Sequence, residues 1–187
     1  MTAFVDHKIF TRRDYHRMIE AGVLTEDDRV ELINGNIITM SPVGSRHLAT
    51  VNRFIRPFTK IVSDDYILSI QNPVGINDIS EPEPDVAILH FREDFYETKK
   101  PTPQDVPLII EVSDTTLEKD RKVKLPLYAN AGIPEAWIVD LTKNIISVCK
   151  NPSPKGYQNT KDYFPNENIT VSAIPNLTVP VSDIFGL

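Results

Sequence analysis

The sequence has a single cysteine among its 187 residues and no apolar run long enough to span a membrane. One cysteine excludes an intramolecular disulfide, and Cys149 follows Ser147 and Val148 in a strand-like run, where we expect it to pack structurally. The amino-terminal residues MTAFVDHKIF lack the long apolar core of a signal peptide. We therefore expect a soluble protein of the reducing cytoplasm with no membrane partner.

An excess of basic residues is also missing. The formal net charge is −6, which excludes an overall basic field that would attract nucleic acid or an anionic membrane. A nucleic-acid substrate is still compatible with this charge, because a site that binds a divalent cation must itself be acidic. No repeat, low-complexity tract or interdomain linker is visible, so residues 1–187 are predicted to form one domain. It comprises an N-terminal helix and hairpin (10–40), a core (44–150) and a tail of short strands (151–187).

The stretch from Leu108 to Asp140 predicts a strand, a helix and a second strand, with charged residues where a core needs apolar ones. The first strand is apolar until Glu111 interrupts it. Residues 113–116 offer helix N-caps, and the helix is predicted over 117–131, with Gly132 as its stop signal. A carboxylate inside a buried strand requires a reason.

The inward face of this helix is predicted to carry polar side chains. At about 100° per residue, Asp120, Lys124 and Tyr128 fall on the same face as the apolar residues. Lys119 and Lys122 fall on the opposite face, which we expect to be solvated. A lysine that only reaches along the surface to solvent is common, but that explanation fits Lys124 poorly, because apolar positions flank it on both sides. Lys124 is therefore a candidate functional residue.

The remaining elements follow from hydrophobic periodicity and turn residues. Thr11 caps a helix that is predicted to run to about Ala21, and Asn34-Gly35 is a strong two-residue hairpin signal. The further predictions are a helix over 45–62, strands near 66–70, 85–89, 108–112 and 135–140, and Ile145–Cys149 as a hairpin partner of the last strand.

Two polar residues in these elements have more than one interpretation. Glu31 lies in the hairpin and would ordinarily be a solvent-facing strand residue. His47 lies in the first turn of the second helix, where a lone histidine is ordinarily a surface or capping residue. The residues alone leave a functional role open for both.

Asp85 and Glu111 each interrupt an apolar strand at one end. On neighbouring strands their carboxylates would lie close together, and two like charges about 4 Å apart repel by roughly 4 kcal/mol at an effective dielectric of about 20. A cation between them removes this repulsion. Oxygen ligands without a His/Cys cluster favour Mg²⁺ or Mn²⁺ over zinc. Lys124 beside the pair would orient a water or stabilise charge on phosphate, which is the chemistry of phosphodiester hydrolysis.

These residues resemble the PD-(D/E)xK nuclease superfamily, with Pro84-Asp85 on one strand and Glu111-Val112-Ser113 on the next. The chain departs from that motif at Ser113, where the lysine should stand. A more specific resemblance is to the Uma family of putative restriction endonucleases, a former domain of unknown function. It covers most of residues 10–150. Its segments here are ELINGNI, His47, EPDVAIL, LIIEVSDTT and DRKVKLPLYANAGIPEAWIVD. Ala136 is a small departure, since the family often has an aromatic residue there.

The resemblance implies a lysine that has moved from the strand to the following helix, which agrees with the choice of Lys124. It also raises Glu31 and His47 to candidate catalytic residues, as a further carboxylate and as a contact to phosphate or to a water on the metal. Three further residues are expected to position the catalytic side chains without contacting the substrate: Asp120, Tyr128 and Ser113. Asp120 would hold Lys124 in place.

The implied fold is α/β, a restriction-endonuclease-like mixed central sheet flanked by helices, with an N-terminal helix and β-hairpin. The leading hypothesis is a Mg²⁺-dependent DNA endonuclease, in which Asp85, Glu111 and the Val112 carbonyl hold Mg²⁺ (or Mn²⁺) and Lys124 assists the water. DNA as substrate comes from the resemblance. The alternative is a catalytically silent module that binds nucleic acid or protein. A homodimer is expected, because cutting two strands takes two active sites or a repositioning step.

Overall fold

The computed structural model describes residues 7–59, 65–172, 174 and 176–187. The helices are α1 (Arg12–Glu20), α2 (Ser45–Thr59), α3 (Leu117–Lys119), α4 (Leu125–Asn130) and α5 (Val181–Phe185), with a π-helical segment (Asp120–Lys124) between α3 and α4 and 3-10 turns at Glu26–Asp28 and Pro103–Asp105. The strands are β1 (Val30–Ile33), β2 (Asn36–Thr39), β3 (Tyr66–Ile70), β4 (Val86–His90), β5 (Leu108–Ser113), β6 (Glu135–Asp140), β7 (Ile145–Ser153), β8 (Gly156–Tyr163), β9 (Asn168–Thr170) and β10 (Thr178–Pro180).

A six-stranded mixed sheet in the order β3-β4-β5-β6-β7-β8 forms the centre of the fold. Strands β5 and β6 are parallel, and the other neighbouring pairs are antiparallel. The parallel pair requires a crossover connection, which α3, the π-helical segment and α4 provide. The predicted α/β fold, with a mixed central sheet, an N-terminal helix and a hairpin, is confirmed.

Hydrophobic cores cover both faces of the sheet, because side chains alternate along each strand. On β5, Ile110 and Val112 pack in the core that contains Phe54 of α2, whereas Ile109 packs in the core that contains Tyr128 of α4. The same alternation directs the side chain of Glu111 to the α4 face.

The register between β4 and β5 determines where Asp85 lies. Val86 pairs with Ile110 in an antiparallel ladder, so Asp85, directly before β4, stands opposite Glu111. Ala87, two residues after Asp85, faces the α4 core, and Asp85 therefore faces the same side of the sheet as Glu111. The two strands that the sequence marked with carboxylates are neighbours.

The N-terminal hairpin turns where the sequence predicted. Asn34 and Gly35 both have positive φ, 50° and 73°, as a two-residue hairpin turn requires. The hairpin attaches to the segment before β4 through Leu32, whose carbonyl accepts a 2.7 Å hydrogen bond from the Glu81 N–H. This attachment brings β1 to the end of the sheet where Asp85 and Glu111 lie.

The structure bears on two predicted boundaries. Helix α2 is described to Thr59, and residues 60–62 of the predicted helix lie outside the described residues. Asp85 precedes β4 instead of opening it.

The prediction of only short strands after residue 150 was wrong, since β7 extends to Ser153 and β8 joins the central sheet. Strand β6 pairs with β7 only as far as Lys150, so Pro152 removes no hydrogen bond from that ladder.

The helix predicted over 117–131 contains a π turn that the sequence analysis did not anticipate. The N–H of Leu125 donates to the carbonyl of Asp120, five residues earlier. Pro126 follows directly, and a proline lacks an amide donor while its ring crowds the carbonyl four residues back. A wider turn at this point avoids that conflict.

Two expectations came from the single cysteine and from the lack of a long apolar run. Cys149 is a free cysteine, 2% exposed within β7, which agrees with a packing role. In the described part of the chain, no helix combines the length and the apolar character needed to cross a membrane.

A buried carboxylate ties α1 to the rest of the fold. Glu81 is 1% exposed, and its oxygens lie 2.7 Å from Arg12 Nε, 3.0 Å from His16 Nε2 and 2.6 Å from Lys100 Nζ. Burial alone would raise the pKa of Glu81, but hydrogen bonds from Lys100, His16 and Arg12 lower it below its ordinary value of 4.5. Glu81 is therefore charged and stabilising at neutral pH.

We expect Glu81→Gln to lower the free energy of unfolding by about 2 kcal/mol at neutral pH. A lowered pKa contributes its full stability above pH 4.5, and this contribution is lost as the pH falls through the lower pKa of the folded state. Urea unfolding of both proteins at neutral pH and at lower pH measures the difference. Glu118→Gln, which removes an exposed pair with Lys122, is the control and should change little. A difference that does not depend on pH would contradict this account of Glu81.

Candidate active site

A cleft of about 540 Å³ opens where β4 begins and β5 ends. One side is the N-terminal arm, which we define as residues 12–43, and the other is the sheet end with the start of α2 and the π-helical segment. The residues predicted as catalytic all line this cleft; they are Glu31, His47, Asp85, Glu111 and Lys124. They come from five separate parts of the chain, so only the tertiary fold brings them together.

Lys124 is the buried cation of the cleft. It is 5% exposed, and its Nζ lies 3.2 Å from Glu31 Oε2 and 3.1 Å from Glu111 Oε1. Burial would lower the pKa of Lys124, but Glu111 and Glu31 outweigh it and raise that pKa above its ordinary value. The ammonium therefore stays charged and joins the hairpin to the central sheet.

Glu111 is held on two sides. Lys124 donates to Oε2 at 3.2 Å, and the Tyr128 hydroxyl donates to Oε1 at 2.5 Å. Burial raises the pKa of Glu111 to about 8, although Lys124 opposes this rise. An ionised Glu111 is thus unfavourable unless sufficient positive charge lies beside it.

Asp85 is oriented by the backbone and by an imidazole. Its Oδ2 accepts a 2.8 Å hydrogen bond from the Val112 N–H and lies 3.1 Å from His47 Nε2. Burial alone would lower the pKa of His47, but the hydrogen bond to Asp85 raises it above 6.5. His47 is thereby biased towards its cationic form.

Glu31 faces the cleft from β1 and is 1% exposed, so its ordinary interpretation as a solvent-facing strand residue was wrong. Its Oε1 lies 2.6 Å from Lys119 Nζ. Burial would raise the pKa of Glu31, but Lys124 and Lys119 lower it. Glu31 therefore contributes a charged carboxylate between two lysines.

The prediction that Lys119 points to solvent was also wrong, and the π turn is the reason. At about 100° per residue, Lys119 lies about 140° from Lys124 around the helix axis. A π turn holds nearly one more residue than an α turn, so each residue advances by about 80°. With one α-helical step from Lys119 to Asp120 and π-helical steps from there to Lys124, the angle falls to about 60°. Asp120 stays within about 40° of Lys124 and Lys122 stays about 160° away in either geometry. Lys122 is indeed exposed and pairs with Glu118.

Asp120 and Ser113 connect the helix to the end of β5. Asp120 is 3% exposed and accepts hydrogen bonds from Ser113 Oγ at 2.8 Å and Thr116 Oγ1 at 2.7 Å. Burial raises the pKa of Asp120, while Lys124 opposes this rise. Asp120 acts on Lys124 through its charge, and its hydrogen bonds fix the start of the π-helical segment. Ser113, which stands where the motif lysine was expected, anchors this contact.

The charge of the cleft is unbalanced. Its lining contains six carboxylates against two lysines, one arginine and one histidine. Glu83 was missed in the sequence, and its pKa is raised by burial and by the nearby Glu31. A signal was present in the segment EPEPD, because Glu83 lies two residues before Asp85 and two-residue spacing places side chains on one side of an extended chain.

The residues fit a hard divalent cation. Asp85 and Glu111 offer carboxylate oxygens, and the Val112 N–H points towards Asp85, so the carbonyl of the same strand residue faces the same edge. In the part of the chain that the structure describes, no three His, Cys, Asp or Glu side chains form a group able to hold a metal. Two carboxylates and a carbonyl, completed by waters, form a ligand set that Mg²⁺ accepts.

Comparisons with known proteins show a shared fold and a family. A solved structure described as "a putative nuclease belonging to DUF820 from Anabaena variabilis ATCC 29413" superposes with a TM-score of 0.71 at 18% identity, covering 89% of this chain and 96% of that one. At such low identity the likeness shows a shared fold. No curated protein matches the chain. The family Uma2, described as "Putative restriction endonuclease", matches residues 12–182. Because this match spans most of the chain, the chain belongs to the Uma2 family.

Proposed function

We propose that this protein is a Mg²⁺-dependent or Mn²⁺-dependent endonuclease that hydrolyses phosphodiester bonds of DNA in the cleft. The observation that carries the proposal is the meeting of Asp85, Glu111 and Lys124 at one end of the sheet, in a chain of a family described as restriction endonucleases. Lys124 would take the part that the motif gives to a lysine at the position of Ser113.

The carboxylates of Asp85 and Glu111 and the carbonyl of Val112 would hold the ion. When bound, Mg²⁺ would offset the excess carboxylate charge and polarise the scissile phosphate. Tyr128 and Lys124 restrain the carboxylate of Glu111, while Val112 and His47 restrain that of Asp85. Restrained ligands support a fixed geometry at the reacting phosphate.

The chain supplies positive charge where the reaction develops negative charge. Hydrolysis adds a water oxygen to phosphorus, breaks the bond to the leaving sugar oxygen and passes a proton to that oxygen. The ammonium of Lys124, fixed by Glu31 and Glu111, would donate a hydrogen bond to the attacking water or to a phosphate oxygen. His47, in the cationic form that Asp85 favours, would contact the phosphate from the start of α2.

The identity of the nucleic acid and the assembly are further parts of the proposal. DNA as the substrate rests on the family description. The homodimer rests on the need to cut two strands and stays a prediction, as does the cytoplasmic location.

Metal binding can be measured by calorimetric titration with Mn²⁺. We expect one site on the wild-type chain and at least a tenfold loss of affinity in Asp85→Asn, because one charged ligand is lost. Asp183→Asn makes the same chemical change in α5, outside the cleft, and should bind as the wild type does. Absence of Mn²⁺ binding, or equal binding by wild type and Asp85→Asn, would remove the proposed metal site and favour a catalytically silent module.

The role of Lys124 can be separated from that of its neighbour on the same helix. We expect Lys124→Ala to reduce Mg²⁺-dependent cleavage of DNA by about 10²-fold or more, because a fixed donor to the developing charge is lost. Lys122→Ala removes an exposed lysine and should cleave normally. Lys124→Met, which keeps the length of the side chain, and thermal unfolding of each variant distinguish lost chemistry from lost folding. Equal cleavage by folded Lys124 and Lys122 variants would contradict the role of Lys124.

A further inference from the structure

The cleft has two chemically different sides. The polar side comprises the sheet end, the π-helical segment and Glu31 of β1, with the carboxylates and lysines described above, whereas the rest of the N-terminal arm contributes an apolar wall beside the polar residues Thr25, Arg29 and Ser41. This wall comprises Ile19, Leu24, Met40, Pro42 and Val43. Ile19 is 46% exposed and Val43 is 37% exposed, so their apolar atoms face the open cleft and are not used in the core. Attack on a phosphate requires only the polar side, so the apolar wall needs another explanation.

The polar side is recessed. Glu111 is 2% exposed, Lys124 is 5% exposed, and the side chain of Asp85 is 14% exposed. In a fully paired duplex the bases are stacked inside the helix, so their apolar faces are covered. Such a duplex can offer a phosphate to the polar side of the cleft, but it offers no base face to the apolar wall. An unpaired nucleotide can offer both.

An unpaired nucleotide matches both sides of the cleft. Its phosphate suits the polar side, and its base has an apolar face that is released from stacking when the strand is unpaired. On the basis of the proposed function, we infer that the apolar wall binds the base of an unpaired nucleotide whose phosphate is cut. The substrate is then single-stranded DNA, or duplex DNA with an unpaired segment at the cut, and not a fully paired duplex. The need to cut two strands, on which the homodimer rests, does not apply to such a substrate.

Cleavage of one labelled oligonucleotide in three forms tests this inference with the full chain. The forms are the single strand, the same strand fully paired with its complement, and the same strand paired with a complement that leaves a central gap of unpaired bases. With Mg²⁺ or Mn²⁺, we expect the single strand and the gapped form to be cut at least tenfold faster than the paired form, with cuts in the gap.

The outcomes separate this inference from the proposed function. Cleavage of the fully paired duplex as fast as the single strand overturns the inference and leaves the endonuclease proposal supported. Cleavage of none of the three forms removes both.

A variant of the wall provides a second measurement. Ile19→Ala should raise KM for the single strand by about tenfold with little change in kcat, because a base contact is made equally in the ground state and the transition state. Val23→Ala is the matched control, since Val23 follows α1 on the same arm, is 68% exposed and does not line the cleft. Val43→Ala tests the same wall from the other end of the arm. Unchanged KM in both wall variants would overturn the assignment of the wall.

Discussion

The contacts of the Lys124 ammonium with the carboxyl groups of Glu31 and Glu111 are the interactions on which the cleft depends. Each carboxyl group comes from a different sheet and is almost fully buried, and so is the ammonium, for which an unpaired charge would be strongly unfavourable. One ammonium from the π-helical segment contacts both, so the hairpin, the central sheet and the crossover helix must meet at this point. Lys119 adds a second cation at Glu31. The arm that carries the apolar wall is thus placed by the same charges that form the polar side.

Much of this arrangement followed from local sequence rules. Asn34-Gly35 specifies a hairpin without help from the rest of the chain, and the apolar runs interrupted at Asp85 and Glu111 marked strands that are neighbours in the sheet. The inward direction of Lys124 and the outward direction of Lys122 were predictable because both hold in α-helical and π-helical geometry. Lys119 was not, because its direction depends on the extra residue that a π turn introduces.

The remaining features depend on tertiary contacts that no short window encodes. Glu31 has the pattern of an exposed strand residue, and its burial depends on tertiary contacts, namely the attachment of β1 to the segment at Glu81 and the two lysines beside its carboxylate. Glu83 acquires its raised pKa from a cleft assembled out of distant segments. The contact between Ser113 and Asp120 also needed the fold, since the sequence showed only that a lysine was missing from β5. Local rules therefore predicted the framework, and the electrostatics of the cleft required the assembled chain.

A structure of crystals soaked in Mn²⁺, with anomalous diffraction recorded for wild type and Asp85→Asn, tests the central claim most directly. The claim is that the carboxylates opposed across β4 and β5 form one metal site next to Lys124. The account predicts an anomalous peak in contact with the carboxylates of Asp85 and Glu111 in the wild type, and none there in Asp85→Asn. A wild-type map with no peak between these two residues, or with a peak only at other carboxylates of the cleft, would contradict it.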